Sequence, residues 1–389
     1  MTDTEAALSA AVERMCADAA WRRLVLGFAA DLDADASLAR FNTAIHPGDQ
    51  MLLHSLRQHR DAGAAFSQYF NIALQQHAAA RQLMRGAFGT DASEIDVLDF
   101  ACGYGRLLRF LSLSIDPRRI WASDLQTDAV DFVRDAFGVQ ALASHADPAR
   151  FEPGRRFDFI WVASLFSHLP ELLFHAWLAR LVALLTPRGV LCFSVRDASL
   201  LPDASALPST GLAYARESEN ADLGGDIYGT AYASEAFVRD ALRAGARNAR
   251  PYVRLPRALA NEQDLYVVGG DARRDLAPLG AFRRGPWGWV DVRGLSADGA
   301  LDLQGWAASL DDGALGAVEI GVDGERHVCH TSIERPDVAA AFGDERLLRS
   351  GWRFRCELPR GVHEARIAVS ARSARGEGAL LYAGSIRAG

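Results

Sequence analysis

In this chain of 389 residues, two carboxylates and two glycines are spaced to bind a nucleotide. Asp99 stands near the end of a short apolar run, Val97-Leu98-Asp99-Phe100, and Gly103 and Gly105 follow at alternate positions. Asp124 closes a second apolar run, Ile120-Trp121-Ala122-Ser123. Glycines just past a strand let backbone approach a ligand closely, and a helix beginning behind them offers free N–H groups and a positive dipole end. An acid ending the next strand can accept protons from both hydroxyls of a ribose. His168, just past a later apolar run at 157–162, adds a side chain whose ordinary pKa suits proton transfer near neutrality.

A strand, a tight turn and a helix must position the first of these groups. Leu107, Leu108 and Leu111 recur at helical spacing behind the glycines. Leu108 sits where the dinucleotide fingerprint requires its third glycine, so an NAD-dependent oxidoreductase ranks low.

Asp-Phe-Ala-Cys-Gly-Tyr-Gly at 99–105 resembles the nucleotide loop of the class I S-adenosylmethionine-dependent methyltransferases. That loop is usually an acid followed by three glycines at alternate positions, and here Ala101 replaces the first. Asp124, the run 157–162 entering Ala163 to Pro170, and the turn and run from Leu185 to Phe193 resemble later signatures of the family, in the family's order. The resemblance implies S-adenosylmethionine as cofactor. Asp99 would meet its ammonium, and Ala101, Cys102, Gly103 and Gly105 would surround its methionine part. Asp124 and Leu125 would serve the ribose, His145 and Ala146 the adenine, and Ala163 would complete the set.

His168 is the candidate catalytic base, on the sheet edge where the methyl would be presented; the competing reading is a histidine that packs the following helix. Three residues are candidate acceptor contacts: Tyr69 in a lid-like stretch (Ser67 to Phe70), Arg196 past the fifth strand, and Tyr228. For Tyr69 the alternative is core packing of an amphipathic helix. No metal site is expected.

Composition narrows the classes further. Length favours two domains, and a hydrophobic content of 49% is ample for packed cores. No apolar run reaches the roughly 18 residues of a membrane span, and no basic-plus-apolar leader is read at the start. A net charge of -7 argues against nucleic acid as the main partner. The five scattered cysteines form no C-x-x-C pair and suggest reduced thiols in a cytoplasm. All 42 basic residues are arginine, which excludes a Schiff-base lysine and a Walker-A lysine.

Residues 1–90 read as a helical extension or lid, with 52–88 as one long amphipathic stretch. Over 91–270, short apolar runs alternate with helical patterns, predicting a Rossmann-like α/β domain with a parallel sheet. Residues 197–231, rich in Ser, Pro, Gly and Asp, read as a long loop, of a length that is usually functional or disordered. A Gly-, Arg- and Pro-rich connection leads to 286–389, where short alternating runs and Asp323-Gly324 predict an all-β sandwich, separable near Gly280. Gly305-Trp306, Arg335-Pro336-Asp337-Val338 and Gly351-Trp352 resemble β-sandwich modules attached to bacterial glycosyltransferases and methyltransferases of surface-polysaccharide pathways. The two resemblances together imply O-methylation of a sugar, glycan or related small metabolite, with homo-oligomer or glycan-assembly partners engaging the C-terminal domain. A catalytically inactive scaffold of a glycan-assembly complex is the alternative.

Overall fold

The structure, a computed structural model, describes residues 3–217, 223–244 and 250–388. Five helices come first: α1 (Asp3–Ala17), α2 (Ala19–Leu26), α3 (Ala34–Ser37), α4 (Gln50–His59) and α5 (Ala62–Phe88). The amphipathic stretch 52–88 falls in two helices, because Arg60 turns left-handed (φ 50°) and Asp61 starts a new helix by accepting the Ala64 N–H at 2.6 Å.

The α/β domain then runs β1 (Val97–Phe100), α6 (Leu108–Ser114), β2 (Ile120–Asp124), α7 (Thr127–Phe137), β3 (Gln140–Ala143), β4 (Phe157–Val162), α8 (Glu171–Ala183) and β5 (Leu185–Asp197). Next come β6 (Leu212–Ala215), β7 (Thr230–Ala233), α9 (Glu235–Ala244), β8 (Tyr252–Leu259) and β9 (Gln263–Gly269). The sheet order is β3-β2-β1-β4-β5, parallel throughout, and β9 adds antiparallel to β5 with β8 beyond it. Segment 197–231 is less loop-like than expected. Its middle carries β6 and its end runs into β7, which pairs with β6 and with the tip of β5 at Arg196↔Tyr232, while residues 218–222 of the segment lie outside the described residues.

Apolar side chains fill both faces of this sheet. On one, Leu107, Leu108 and Leu111 of the α6 region pack with Val97, Val133 and Phe137. On the other, Phe174, Trp177 and Leu181 of α8 pack with Phe100, Ile160 and Phe193. Both β1 and β4 are buried along their whole length, as strands covered on two faces must be.

The C-terminal region holds β10 (Pro286–Leu295), β11 (Ala300–Ser309), β12 (Gly313–Ala314), β13 (Ala317–Val322), β14 (Glu325–His330), α10 (Pro336–Phe342), β15 (Gly351–Glu357), β16 (Glu364–Arg372) and β17 (Gly378–Arg387). They form two four-stranded antiparallel sheets, β10 to β12 with β15, and β14-β13-β16-β17, around a shared core that includes Leu303, Ile320, Trp352 and Val369.

This sandwich does not stand apart from the helices. Ala64 of α5 lies in the sandwich core, while Leu380 and Ala383 of β17 lie in the helical core with Phe66, Phe70 and Phe110. Ser67 takes the Ala383 N–H at 2.7 Å and so satisfies a donor on an edge strand. The contact is close enough that a Cβ on Gly63 would come within 2.6 Å of the Tyr382 hydroxyl.

Candidate active site

The cleft lies past the carboxyl ends of β1, β2, β3 and β4, where an open α/β sheet binds its ligands. It encloses about 1140 Å³, its open mouth included. Between β1 and α6 the chain turns through three left-handed residues, Ala101 (φ 58°), Gly103 (φ 53°) and Gly105 (φ 75°). A side chain at Gly103 would point into open space, so that glycine keeps bare backbone on the cleft. Gly105 does different work. A Cβ there would come 2.5 Å from the Phe137 ring, so this glycine lets α7 approach the loop.

Asp124 joins loop and strand. Its Oδ2 accepts the Gly103 N–H at 2.8 Å and its Oδ1 accepts the Gln126 N–H at 3.0 Å. Burial pushes its carboxyl above the usual range, and these backbone donors oppose the shift. Asp99 lies beneath the loop, 3% exposed, and is not part of the cleft wall. Burial, and after it the charge of Asp124, push its carboxyl up to about 8.

Of the residues expected at the cofactor, Ala101, Cys102, Gly103, Asp124, Leu125, His145, Ala146 and Ala163 line the cleft, while Asp99 and Gly105 do not. His145 accepts the Asp147 N–H on Nδ1 at 2.9 Å, so in its neutral form the proton sits on Nε2.

The expected acceptor side is redistributed. Tyr228 lines the cleft, with Leu223 and Ile227 from the same segment. His168 is 3% exposed and stacks on the Tyr228 ring (centroids 4.4 Å apart), its Nδ1 bonded to the Gly229 carbonyl at 2.6 Å. It therefore stands behind the Tyr228 ring and is not itself part of the cleft wall. Arg196 is not part of the cleft wall; it lies on β5 at the pairing with β7, opposite Tyr232. Tyr69 is 1% exposed and also stands behind the wall.

What stands in front of Tyr69 was missed in the sequence. Asp49, Gln50 and Met51, at the start of α4, line the cleft together with Tyr104 and Arg106. Asp49 caps α4 by accepting the Met51 N–H at 2.9 Å, and its other oxygen accepts the Tyr69 hydroxyl at 2.7 Å. Behind Tyr69 lies Arg109, 1% exposed, which donates to that hydroxyl at 3.0 Å and to the carbonyls of Asn42 and Ala44. An Asp before an amphipathic helix is a visible cap signal, but nothing in the sequence says that the cap faces another domain's glycine loop. Ser164 was also missed. It follows β4 in a left-handed conformation (φ 59°), lines the cleft, and is tied to Ser194 and Gln263.

Residues 97–189 match the family model described as a methyltransferase domain. The chain carries a methyltransferase domain. Its cofactor is S-adenosylmethionine. The bare backbone at Gly103, the Asp49 and Asp124 carboxylates and the Arg106 guanidinium suit a nucleoside that carries both charges. Solved structures similar to this methyltransferase include an S-adenosylmethionine-dependent methyltransferase from Clostridium acetobutylicum (16% identity, TM-score 0.37, 52% of this chain and 97% of that one). Another is a sugar N-methyltransferase from a Streptoalloteichus species (16% identity, TM-score 0.37, 51% and 87%). A third is the magnesium protoporphyrin IX methyltransferase of Synechocystis with its demethylated cofactor bound (16% identity, TM-score 0.34, 51% and 84%). No curated protein matches the chain. Among the described residues, no helix is long and apolar enough to cross a membrane.

Proposed function

We propose that this methyltransferase acts on a hydroxyl of a small acceptor, a sugar, glycan terminus or related metabolite. The observation that carries this reading is the make-up of the cleft lining. Apolar Leu165, Ile227 and Met51 line it together with Gln50, Ser164 and Tyr228, which can donate to and accept from hydroxyls. The net charge of -7 is consistent with a neutral or cationic small molecule in preference to a nucleic acid.

S-adenosylmethionine supplies an activated methyl, so the chain's own task is alignment, and proximity alone lowers such a barrier by several kcal/mol. In this reading Asp124 and the Gly103 backbone fix the nucleoside, His145 and Ala146 flank its base, and Tyr228, held by His168, sets the acceptor's approach. The C-terminal sandwich, joined to the helical layer, keeps α4 and α5 against the cleft and offers a surface for glycan-pathway partners.

The test incubates purified protein with methyl-labelled S-adenosylmethionine and a panel of monosaccharides, nucleotide sugars and amino sugars, and reads label by mass spectrometry. Label on a sugar oxygen supports the reading. Label on nitrogen, or only on non-carbohydrate acceptors, removes it.

A further inference from the structure

Asp49 and Arg106 are opposite charges among the residues that line the cleft. They flank the same ring. The Tyr69 hydroxyl donates to Asp49, and the Arg106 guanidinium lies 5.9 Å from the Tyr69 ring centre. Among the described residues neither forms an ion pair, with the other or with anything else. The Arg106 guanidinium has only the ring contact, and Asp49 has only the Tyr69 hydroxyl and the Met51 N–H. A carboxylate that is 4% exposed and has no cationic partner is costly, unless something that enters the cleft neutralises it. Each of its oxygens keeps a lone pair beyond the one already used.

Asp49 is also next to the loop. Gly48 approaches Tyr104 so closely that a Cβ on it would lie 3.0 Å from the Tyr104 hydroxyl, whose phenol is pushed up by burial, then by Asp128, and to a lesser degree by the Asp49 charge. Tyr104 sits between the two glycines. An unpaired anion and an unpaired cation, one ring apart beside a bare backbone turn, form a cradle for a zwitterion.

We infer that Asp49 and Arg106 together hold an α-amino acid group, Asp49 its ammonium and Arg106 its carboxylate. This inference rests on the S-adenosylmethionine reading, and the amino acid group meant is that of the cofactor. It moves the ammonium partner from Asp99, which is buried beneath the loop, to a residue of the helical layer outside the matched domain. The cofactor's amino acid end is then clamped between two regions, and its binding ties α4 to the glycine loop. Tyr69 and Arg109 are positioning residues. They fix the Asp49 carboxylate through the Tyr69 hydroxyl, which Arg109 holds from behind.

The test is titration calorimetry of the full chain with three nucleosides: S-adenosylmethionine, its demethylated product, and 5′-methylthioadenosine, which keeps the nucleoside and thioether but lacks the amino acid. Asp49→Asn suits it, because asparagine caps a helix as well as aspartate does and α4 is kept. The expected result is a loss of about tenfold or more for both amino-acid-bearing ligands, the worth of a charge-assisted hydrogen bond, with methylthioadenosine unchanged. Arg106→Gln should give the same pattern, and Tyr69→Phe a weaker one. Unchanged binding of the demethylated product to Asp49→Asn overturns the inference. So does an equal loss of methylthioadenosine, which would mean a disturbed site, and so does a loss confined to S-adenosylmethionine, which would place Asp49 at the sulfonium. Wild-type protein that binds none of the three removes the cofactor reading itself, and this inference with it.

Discussion

One wall of the cleft comes from neighbouring turns of a single sheet edge: Ala101 to Tyr104, Asp124 to Gln126, Ser144 to Ala146 and Ala163 to Leu165. Another part of the lining is assembled from Asp49 to Met51, more than one helix upstream, and from Leu223 and Tyr228, downstream of the whole matched domain. The first wall is held by its own strands, through bonds such as Gly103 to Asp124 and Cys102 to the Ser123 carbonyl. The other part is held from outside. Asp49 depends on Tyr69, Tyr69 on Arg109, and α5, which carries Tyr69, on β17 of the C-terminal sandwich. A locally built wall can be shared by many chains with different acceptors, whereas a wall supported at long range can be specific to one.

The largest test of this contrast removes the support. A chain ending at Gly280 exposes the Ala64, Phe66 and Phe70 side of α5 and takes Leu380 and Ala383 out of the helical core. Several fully buried apolar side chains, at about 1.5–3 kcal/mol each, amount to much of a domain's net stability. The expected outcome is an insoluble or partly unfolded protein in gel filtration and circular dichroism, against the separability expected from composition. A soluble truncated chain that binds cofactor with wild-type affinity would show that both walls stand without the sandwich.

Breaking the local wall should cost less. Asp124→Ala removes the acceptor for the Gly103 and Gln126 N–H groups as well as the proposed ribose partner, so cofactor affinity should fall by about 2–4 kcal/mol with the fold retained. Calorimetry and a melting curve check the two halves of that statement, and undiminished affinity would place the ribose elsewhere.

Asp99, buried beneath the local wall, gives the fold a pH dependence. With its pKa up to about 8 from burial, the folded chain keeps this carboxyl protonated at pH values where the unfolded chain has ionised. Its contribution is fully present below the ordinary carboxylate range and is lost as pH rises from about 4 through about 8. Asp99→Asn removes that loss. The variant should gain on wild type as pH rises across this window, by a few kcal/mol at most. Urea melts at about pH 5 and about pH 8 measure it, and a gap that stays constant refutes the raised pKa.

The smallest effect is expected at Ala101. A left-handed alanine costs about 1–2 kcal/mol, and glycine returns part of that in unfolded-state entropy. Ala101→Gly should therefore stabilise the chain by about 0.5–1 kcal/mol, read as a small rise in melting temperature. A decrease would mean that the Ala101 methyl packs usefully on the cleft.

Much of the α/β domain was legible in the sequence, because its signals are local. Apolar Val97, Leu98 and Phe100 declare a short buried strand. Gly103 declares a left-handed turn, and Asp124 an acid at a strand's end. Each signal sits within a few residues of the structure it specifies. Gly105 shows the limit of that reading: its turn was legible, but its reason, the approach of Phe137, depends on α7 folding back.

The side chains that face one another were decided only by the tertiary structure. His168 and Tyr228 come from segments far apart, and their stacking places one in the wall and the other behind it. Nothing near Asp49 in the sequence indicates that Tyr69 and Arg109 will fix its carboxylate, or that an edge strand from the far end of the chain will hold Tyr69's helix. Propensity, capping and turn chemistry act over a few residues and can be read one at a time. The pairing of surfaces depends on which apolar faces are buried together, and that is settled only when the whole chain packs.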